Sequence, residues 1–293
     1  MGRPEVQLDQ LADIGPPERL GHYTDAGGAL GILRNGAIWA SHIRFLNDAR
    51  EFAHAVEIAR RYVQDLERMA SGPFPLRTSL LAQLEAMPGN TFVASFSVGA
   101  ERLSQWRGYC PAGGYKLVFN GPMLKARANA SHFYFVKCIY DRSEQERLVR
   151  DLIDTGLSYF PSWPLPPPPY PTDPNEEMKA DWFSAQWFFP RMNRLASAMK
   201  DPAFAEEQEW RAVGGIWSSD EVPLVRARGA LLLPYLTLNL RDTGEGLYPC
   251  VTEVMVGPGL DQELADFGLA KLFQSIQPGA IQITRSSAPY RFS

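Results

Sequence analysis

Residues 20–41 read LGHYTDAGGALGILRNGAIWAS, and the pattern is strand, helix, strand. Leu20–Thr24 is short and mixed in character, as a strand is. Ala26–Asn35 places Leu30 and Leu33 on one side of a helix, and Gly36 stands where a helix C-terminal cap belongs. Ala37–Ser41 (AIWAS) predicts a second strand. A regular βαβ rhythm does not continue from there. Phe52, Val56, Ala59, Val63 and Leu66 recur at spacings of three and four and predict a long amphipathic helix. Asp48, three residues before Glu51, resembles its capping pair. A shorter helix is expected over Arg77–Met87, stopping at Pro88-Gly89.

Further strands are expected at Thr91–Ser97, Tyr115–Phe119 and Phe133–Tyr140. Ser143 and Glu146 form a candidate capping box for a helix with Leu148, Val149, Leu152, Ile153 and Leu157 on its face. Glu176–Lys200 reads as helical and aromatic-rich. Strands follow at Glu209–Val213, Leu231–Leu240 and Val251–Val256, then a helix Asp261–Phe273 capped by Asp261, then a strand Ala280–Thr284. Strands and helices thus mix without a βαβ repeat, which predicts an α+β fold. Residues 161–174 (PSWPLPPPPYPTDP) can continue neither a helix nor a central strand. They read as a surface loop or polyproline II spacer, with a docking site for a proline-reading module as the alternative.

The chain of 293 residues is 45% hydrophobic and carries 29 Lys and Arg against 33 Asp and Glu, a net charge of −4. A disordered chain and a globally basic nucleic-acid footprint are both excluded. Four histidines and three cysteines (Cys110, Cys138, Cys250) are scattered, which argues against a disulfide framework or a zinc cluster. The first fifteen residues lack the apolar core of a signal peptide, and no apolar run is long enough to span a bilayer. A cytoplasmic protein with reduced thiols and no membrane partner is expected.

Four clusters can carry chemistry. In Gly21-His22-Tyr23-Thr24 a neutral imidazole can hold a ribose hydroxyl or simply satisfy a buried carbonyl. In Trp39–His42 and Phe45–Asp48, His42 and Asp48 can form a polar pair, or Asn47 and Asp48 can serve as turn and cap. Ser95, Ser97 and Leu103–Tyr109 (LSQWRGY) gather hydroxyls, an amide, an indole and a guanidinium. Arg107 suits a phosphate, and Trp106 or Tyr109 suits stacking; the alternative is a buried Trp106 with Arg107 in a structural ion pair. In Glu207–Arg211, a strand opening at Glu209 puts Glu207 and Glu209 on one face with Arg211 as their cation. Cys110 lies near Arg107, but no histidine partner is indicated.

Taken in order, these clusters resemble the DUF2971 family. The matching segments are His22-Tyr23-Thr24, Leu30–Leu33, Ile38–Ser41, Phe45–Asp48, Ala94–Ser97, Leu103–Tyr109, Glu207–Arg211, Val256-Gly257-Pro258 and Ser287–Arg291. The resemblance spans residues 20–291 of a single domain covering 1–293, with the prolines around 161–174 as an insertion. More distantly, a strand with His-x-Thr followed by L-x-x-I-L-x-x-G resembles the ADP-ribosyltransferase superfamily, including DarT-like toxins and RNA 2′-phosphotransferases. That likeness implies a split β-sheet core with peripheral helices, and NAD as substrate without a metal. It implies that His22 binds the ribose and that Glu209 is catalytic. Glu207 is the first carboxylate of an E-x-E pair. Ser95, Ser97 or Tyr109 is the middle element, left undecided. The candidate NAD-binding set is therefore His22, Tyr23, Thr24, Ser97, Gln105, Trp106, Arg107 and Tyr109.

Cleaving the nicotinamide–ribose bond needs a carboxylate, hydroxyl partners and aromatic walls, all of which the composition supplies. The expected activity is transfer of ADP-ribose to a protein or nucleic acid, or hydrolysis of NAD, in a toxin or phage-defence role. The rivals are a non-catalytic nucleotide- or nucleic-acid-binding module, in which the aromatic and arginine residues stack bases, and a nuclease or other hydrolase using Glu207, Glu209 and Asp48.

Overall fold

The computed structural model describes residues 14–46, 49–69, 75–86, 91–99, 101–164, 175–216, 222–241, 250–259, 261–277 and 279–289. The opening unit forms as its sequence predicts: β1 (Arg19–Thr24), α1 (Ala26–Asn35) and β2 (Ala37–His42). Asp25 starts α1 by accepting a hydrogen bond from the Gly28 N–H at 2.7 Å. Gly36 ends it in the left-handed region, φ 64°, where its N–H reaches the Ile32 carbonyl at 2.8 Å. A side chain there would be strained, which is why glycine closes the helix.

The rest of the order is α2 (Ala49–Met69), α3 (Pro75–Ala86), β3 (Thr91–Val98), α4 (Leu103–Tyr109), β4 (Tyr115–Asn120), α5 (Gly121–Ala130), β5 (Tyr134–Lys137) and α6 (Arg142–Tyr159). Then come α7 (Glu176–Phe183), a π-helical segment Ser184–Phe188, α8 (Phe189–Ala198), β6 (Glu209–Gly215), β7 (Leu224–Arg228), β8 (Leu231–Asn239), β9 (Val251–Val256), α9 (Gln262–Ile276) and β10 (Gln282–Arg285). This is an α+β fold, as expected.

Several local details differ from the sequence reading. The strand expected at Phe133–Tyr140 shortens to β5. Asp141, not Ser143, caps α6, accepting from the Glu144 N–H at 2.8 Å. The helices α4 and α5 and the strand β7 form where the sequence carries no clear period. Asn47 and Asp48, Pro88-Gly89 and residues 165–174 lie outside the described residues.

The strands form one sheet in the order β10-β9-β4-β1-β3-β2-β8-β7, with β6 on the other side of β3 and β5 beyond β6. Among the described strand pairs only β9 and β10 run parallel. The period-two alternation of β3 divides the core. Phe92, Ala94 and Phe96 pack with α1, α5 and α9. Val93 points to the other face, where the stripe Phe52, Val56, Ala59 and Val63 of α2 meets α3, α6 and the aromatic run of α7–α8. Phe183 and Trp187 stack there at 5.2 Å and are fully buried in this core.

The register of β3 sets the site. On one edge it pairs with β1 only at its C-terminal end (Gly21↔Ser97, Leu20↔Val98). On the same edge it pairs with β2 only at its N-terminal end (Ser41↔Val93, His42↔Phe92). On its other edge it pairs with β6 along the whole length from Thr91↔Gly215 to Ser97↔Glu209. β1 and β2 therefore peel apart at Ala94–Phe96, and the sheet splits there.

Candidate functional site

A split strand edge leaves backbone groups without ladder partners, and a buried carbonyl so orphaned costs about 1–3 kcal/mol. His22 fills this gap. Its ring contacts Phe96 at 5.7 Å, and its Nδ1 lies 2.9 Å from the Ser95 carbonyl oxygen. A carbonyl only accepts, so Nδ1 carries the proton. Desolvation lowers the pKa of the half-buried imidazole against the raising effect of the Ser95 bond, and the Arg226 charge lowers it further. The ring is thus held neutral, with Nε2 left as an acceptor. Both readings of His22, carbonyl partner and ligand contact, are compatible in this one geometry.

Across β3, Glu209 begins β6. Gly21, Ser97 and Glu209 are cross-strand neighbours, so β1 and Glu209 are about 10 Å apart, two strand spacings. Arg211, two residues on, shares its face and donates from Nε to Glu209 at 2.8 Å and from Nη1 to the Ser197 carbonyl at 2.7 Å. The Tyr140 hydroxyl accepts the Glu209 N–H at 2.8 Å.

Glu207 does not belong to the strand. It ends a 3₁₀ segment, Pro202–Glu207, and Gln208 turns the chain in the left-handed region at φ 44°. The expectation that strand alternation brings Glu207 beside Glu209 therefore fails. What joins them is Lys200, whose ammonium donates to both carboxylates. Lys200 and Glu209 are 1% and 2% exposed. The backbone of Lys200 is fixed by its N–H to the Ile139 carbonyl at 3.0 Å and by its carbonyl, which accepts from Gln145 at 2.9 Å. Burial alone would raise the Glu209 carboxyl, but the charges of Arg211 and Lys200 overcome it and hold the pKa down at about 2. Glu209 is a fixed anion across the physiological range. Lys200 escaped the sequence reading because its partners lie seven and nine positions away, beyond a turn; its only mark is a lysine closing a buried apolar helix.

The third wall is α4. Its buried residue Gln105 accepts from the Ser97 hydroxyl at 3.1 Å, and Tyr109 is 41% exposed. Together Gly21, His22, Tyr23, Ser95, Ser97, Gln105, Tyr109, Glu207 and Glu209 enclose a cleft of about 40 Å³. Among the expected residues, His22, Tyr23, Ser97, Gln105, Tyr109, Glu207 and Glu209 thus converge, from three parts of the chain.

The other candidates lie elsewhere. Trp106 is 1% exposed, edge-on to Tyr23 at 4.8 Å, with its indole N–H on Glu101 at 3.2 Å; it is not available to stack a ligand. Gly257 matches it from the other side, since a side chain at 257 would meet the indole at 2.8 Å and the Gly114 carbonyl at 2.7 Å. Arg107 is exposed on α4 and does not line the cleft. Thr24 accepts the Cys110 thiol on its carbonyl at 3.3 Å and stays outside the cleft. Burial pushes Cys110 up to about 12, which removes it as a nucleophile. His42 accepts the Arg44 N–H at 3.3 Å and packs edge-on against Phe92. The closing Ser286 and Ser287 are fastened by Glu101, which accepts both hydroxyls and the Ser287 N–H at 2.9 Å.

Among the described residues, no group of three or more His, Cys, Asp and Glu is placed to hold a metal ion, and no helix is long and apolar enough to cross a membrane. Residues 105–212 match the family model described as protein of unknown function (DUF2971), in agreement with the DUF2971 resemblance. The match begins at Gln105 and takes in Tyr109, Lys200, Glu207, Glu209 and Arg211, so two walls of the cleft fall within it. No curated protein and no solved structure matches the chain.

Proposed function

We propose that the chain is an NAD-cleaving enzyme of ADP-ribosyltransferase type. The observation that carries this reading is the meeting of His22 and Glu209 in one cleft at a split in the sheet, with burial lowering the imidazole's pKa and the charges of Arg211 and Lys200 holding the carboxyl down. When the bond between nicotinamide and ribose breaks, its electron pair leaves with the nicotinamide and positive charge develops on the ribose. A buried anion close to that sugar stabilises the charge most where water is excluded. Glu209 is such an anion and, with its carboxyl held at about 2, acts as an acceptor and counter-charge rather than as an acid. His22 offers Nε2 to a ribose hydroxyl. Glu207, less buried than Glu209, takes the proton of the attacking acceptor or water.

The cleft of about 40 Å³ has room for one or two waters. Entry of the substrate therefore needs the cleft to widen, and Tyr109, exposed in its wall, is placed to cover the nicotinamide. The two carboxylates are held by Lys200 and Arg211 and keep further lone pairs for a sugar hydroxyl or an acceptor proton. Transfer to a protein or nucleic acid and hydrolysis share this first step, and a toxin or phage-defence role fits an enzyme that consumes NAD.

Incubation with NAD tests the reading, with released nicotinamide and labelled cell extract as readouts. In variants whose circular dichroism matches the parent, Glu209→Gln is expected to lower kcat at least about a hundredfold, and His22→Ala to raise KM. Turnover retained in both, or none in the parent, overturns it.

A further inference from the structure

The cleft accounts for the sugar end of a dinucleotide, but among the described residues no Lys or Arg lines it, and Lys200 and Arg211 behind its wall are bound to Glu207 and Glu209. The other lip of the split does offer one. Ser41, the β2 residue at the point where β2 leaves β3, is buried and accepts from Arg226 Nη2 at 3.0 Å. Arg226 lies on β7 and reaches over β8, its guanidinium 5.1 Å from the Trp39 ring centroid and 6.0 Å from that of Tyr235. The two rings contact each other at 5.2 Å. Trp39 is seated against α1 at Gly31, where a side chain would stand 3.3 Å from the indole.

This guanidinium is held in place yet poorly compensated. Its Nε is buried without a hydrogen-bond partner, and among the described residues it makes no ion pair within 4 Å. Burial and the charge of Arg228, two residues along the same strand, both disfavour its charged form, with only longer-range relief from Tyr235 and Asp25. It stands over β2 where β2 leaves β3, and His22 stands on β1 where β1 leaves the same strand. A half-buried arginine stacked on aromatic rings, with no carboxylate partner among the described residues, is suited to a planar or bidentate anion.

We propose that Arg226, set by Ser41, Trp39 and Tyr235, is the diphosphate-recognition residue on the second lip of the split sheet, and that its ligand is a nucleoside diphosphate group. This rests on the reading of the cleft as a site for NAD and supplies the phosphate contact that Arg107 does not make. Arg228, exposed two residues along β7, adds a second positive charge beside it, and the Trp39 and Tyr235 rings carry the guanidinium.

Calorimetric titration of the full chain with ADP-ribose and with inorganic pyrophosphate tests it, alongside NAD turnover. Arg226 sits half-exposed on the edge strand β7, so Arg226→Gln and Arg226→Lys are expected to fold. Arg61→Gln, in an exposed ion pair on α2, controls for generic loss of charge. Loss of one charge-assisted contact corresponds to a fall in affinity of about tenfold or more for both ligands. Lysine should not restore it, because an ammonium lacks the fork and the stacking plane. Equal affinity in parent and Arg226→Gln, an equal fall in Arg61→Gln, or failure of the parent to bind either ligand overturns the proposal. So does a loss seen only with single-stranded oligonucleotide. NAD turnover indifferent to Arg226 sinks this inference and leaves the proposed function standing. Binding of ADP-ribose through Arg226 without NAD turnover does the reverse.

Discussion

Replacing Lys200 by Met removes the one ammonium that faces both Glu207 and Glu209 while keeping much of the side-chain volume. Glu209 retains Arg211, so the loss falls on Glu207, which lies 9% exposed in the wall of the cleft and gives up its contact with the ammonium. Breaking a buried ion pair from one side costs about 3–5 kcal/mol, since the remaining charge is left desolvated. At about 2.1 cal/mol/K of unfolding entropy per residue, a chain of 293 residues loses about 0.6 kcal/mol per degree. The expected fall in Tm is therefore about 5–8 °C at pH 7 by differential scanning calorimetry. The second arm of the cycle is Lys200→Met with Glu207→Gln. With no net charge stranded at 207, the double variant should recover about 1.5–3 kcal/mol relative to the sum of the singles. A loss under about 1 kcal/mol in the single variant refutes the reasoning, and so does simple additivity: either would mean that water or a chain movement satisfies Glu207 without Lys200.

Two further outcomes are expected. Glu209 has its carboxyl lowered from 4.5 to about 2 in the folded chain, so it contributes stability that is complete above about pH 4.5 and is lost as the pH falls towards 2. The shift corresponds to roughly 3 kcal/mol, and urea unfolding between pH 6 and pH 3 should show this acid limb in the parent and its reduction in Glu209→Gln. Glu101→Ala releases the Trp106 indole, both serine hydroxyls and the Ser287 N–H. It should cost about 1–3 kcal/mol, given the partial exposure of the carboxylate, and hydrogen exchange at the Ser287 amide should rise; unchanged exchange there refutes the fastening role.

The parts of the fold legible in the sequence are those whose causes are local. Asp25 and Gly36 bracket α1 through contacts made within four residues, and the α2 stripe declares itself by period alone. The cleft residues were legible for another reason: His22, Ser97, Gln105 and Glu209 sit in short polar-aromatic runs that neither helix nor strand patterning requires. Trp106 illustrates how that signal misleads. Its run has the composition of a ligand wall, yet Tyr23, Gly257 and Glu101, distant in sequence, close around it and make it core. Arg107, beside it on the helix, is turned outward by the same geometry, because adjacent helical positions face about 100° apart.

Lys200 and Arg226 were illegible for a complementary reason. Each lies in a segment with no distinctive motif, and each gains its meaning from the topology. Lys200 is aimed by a backbone bridge to Ile139, and Arg226 reaches Ser41 only because β7 pairs with β8 and β8 with β2. Charge balance could have raised the question of Lys200, since two carboxylates bracketing Gln208 demand more cation than Arg211 supplies. No sequence argument poses the same question for Arg226, whose lack of a carboxylate partner among the described residues is a property of three strands together. The cation already neutralised within the chain is thus the one that fixes Glu209. The under-compensated one, across the split from it, is the one with charge left for a ligand.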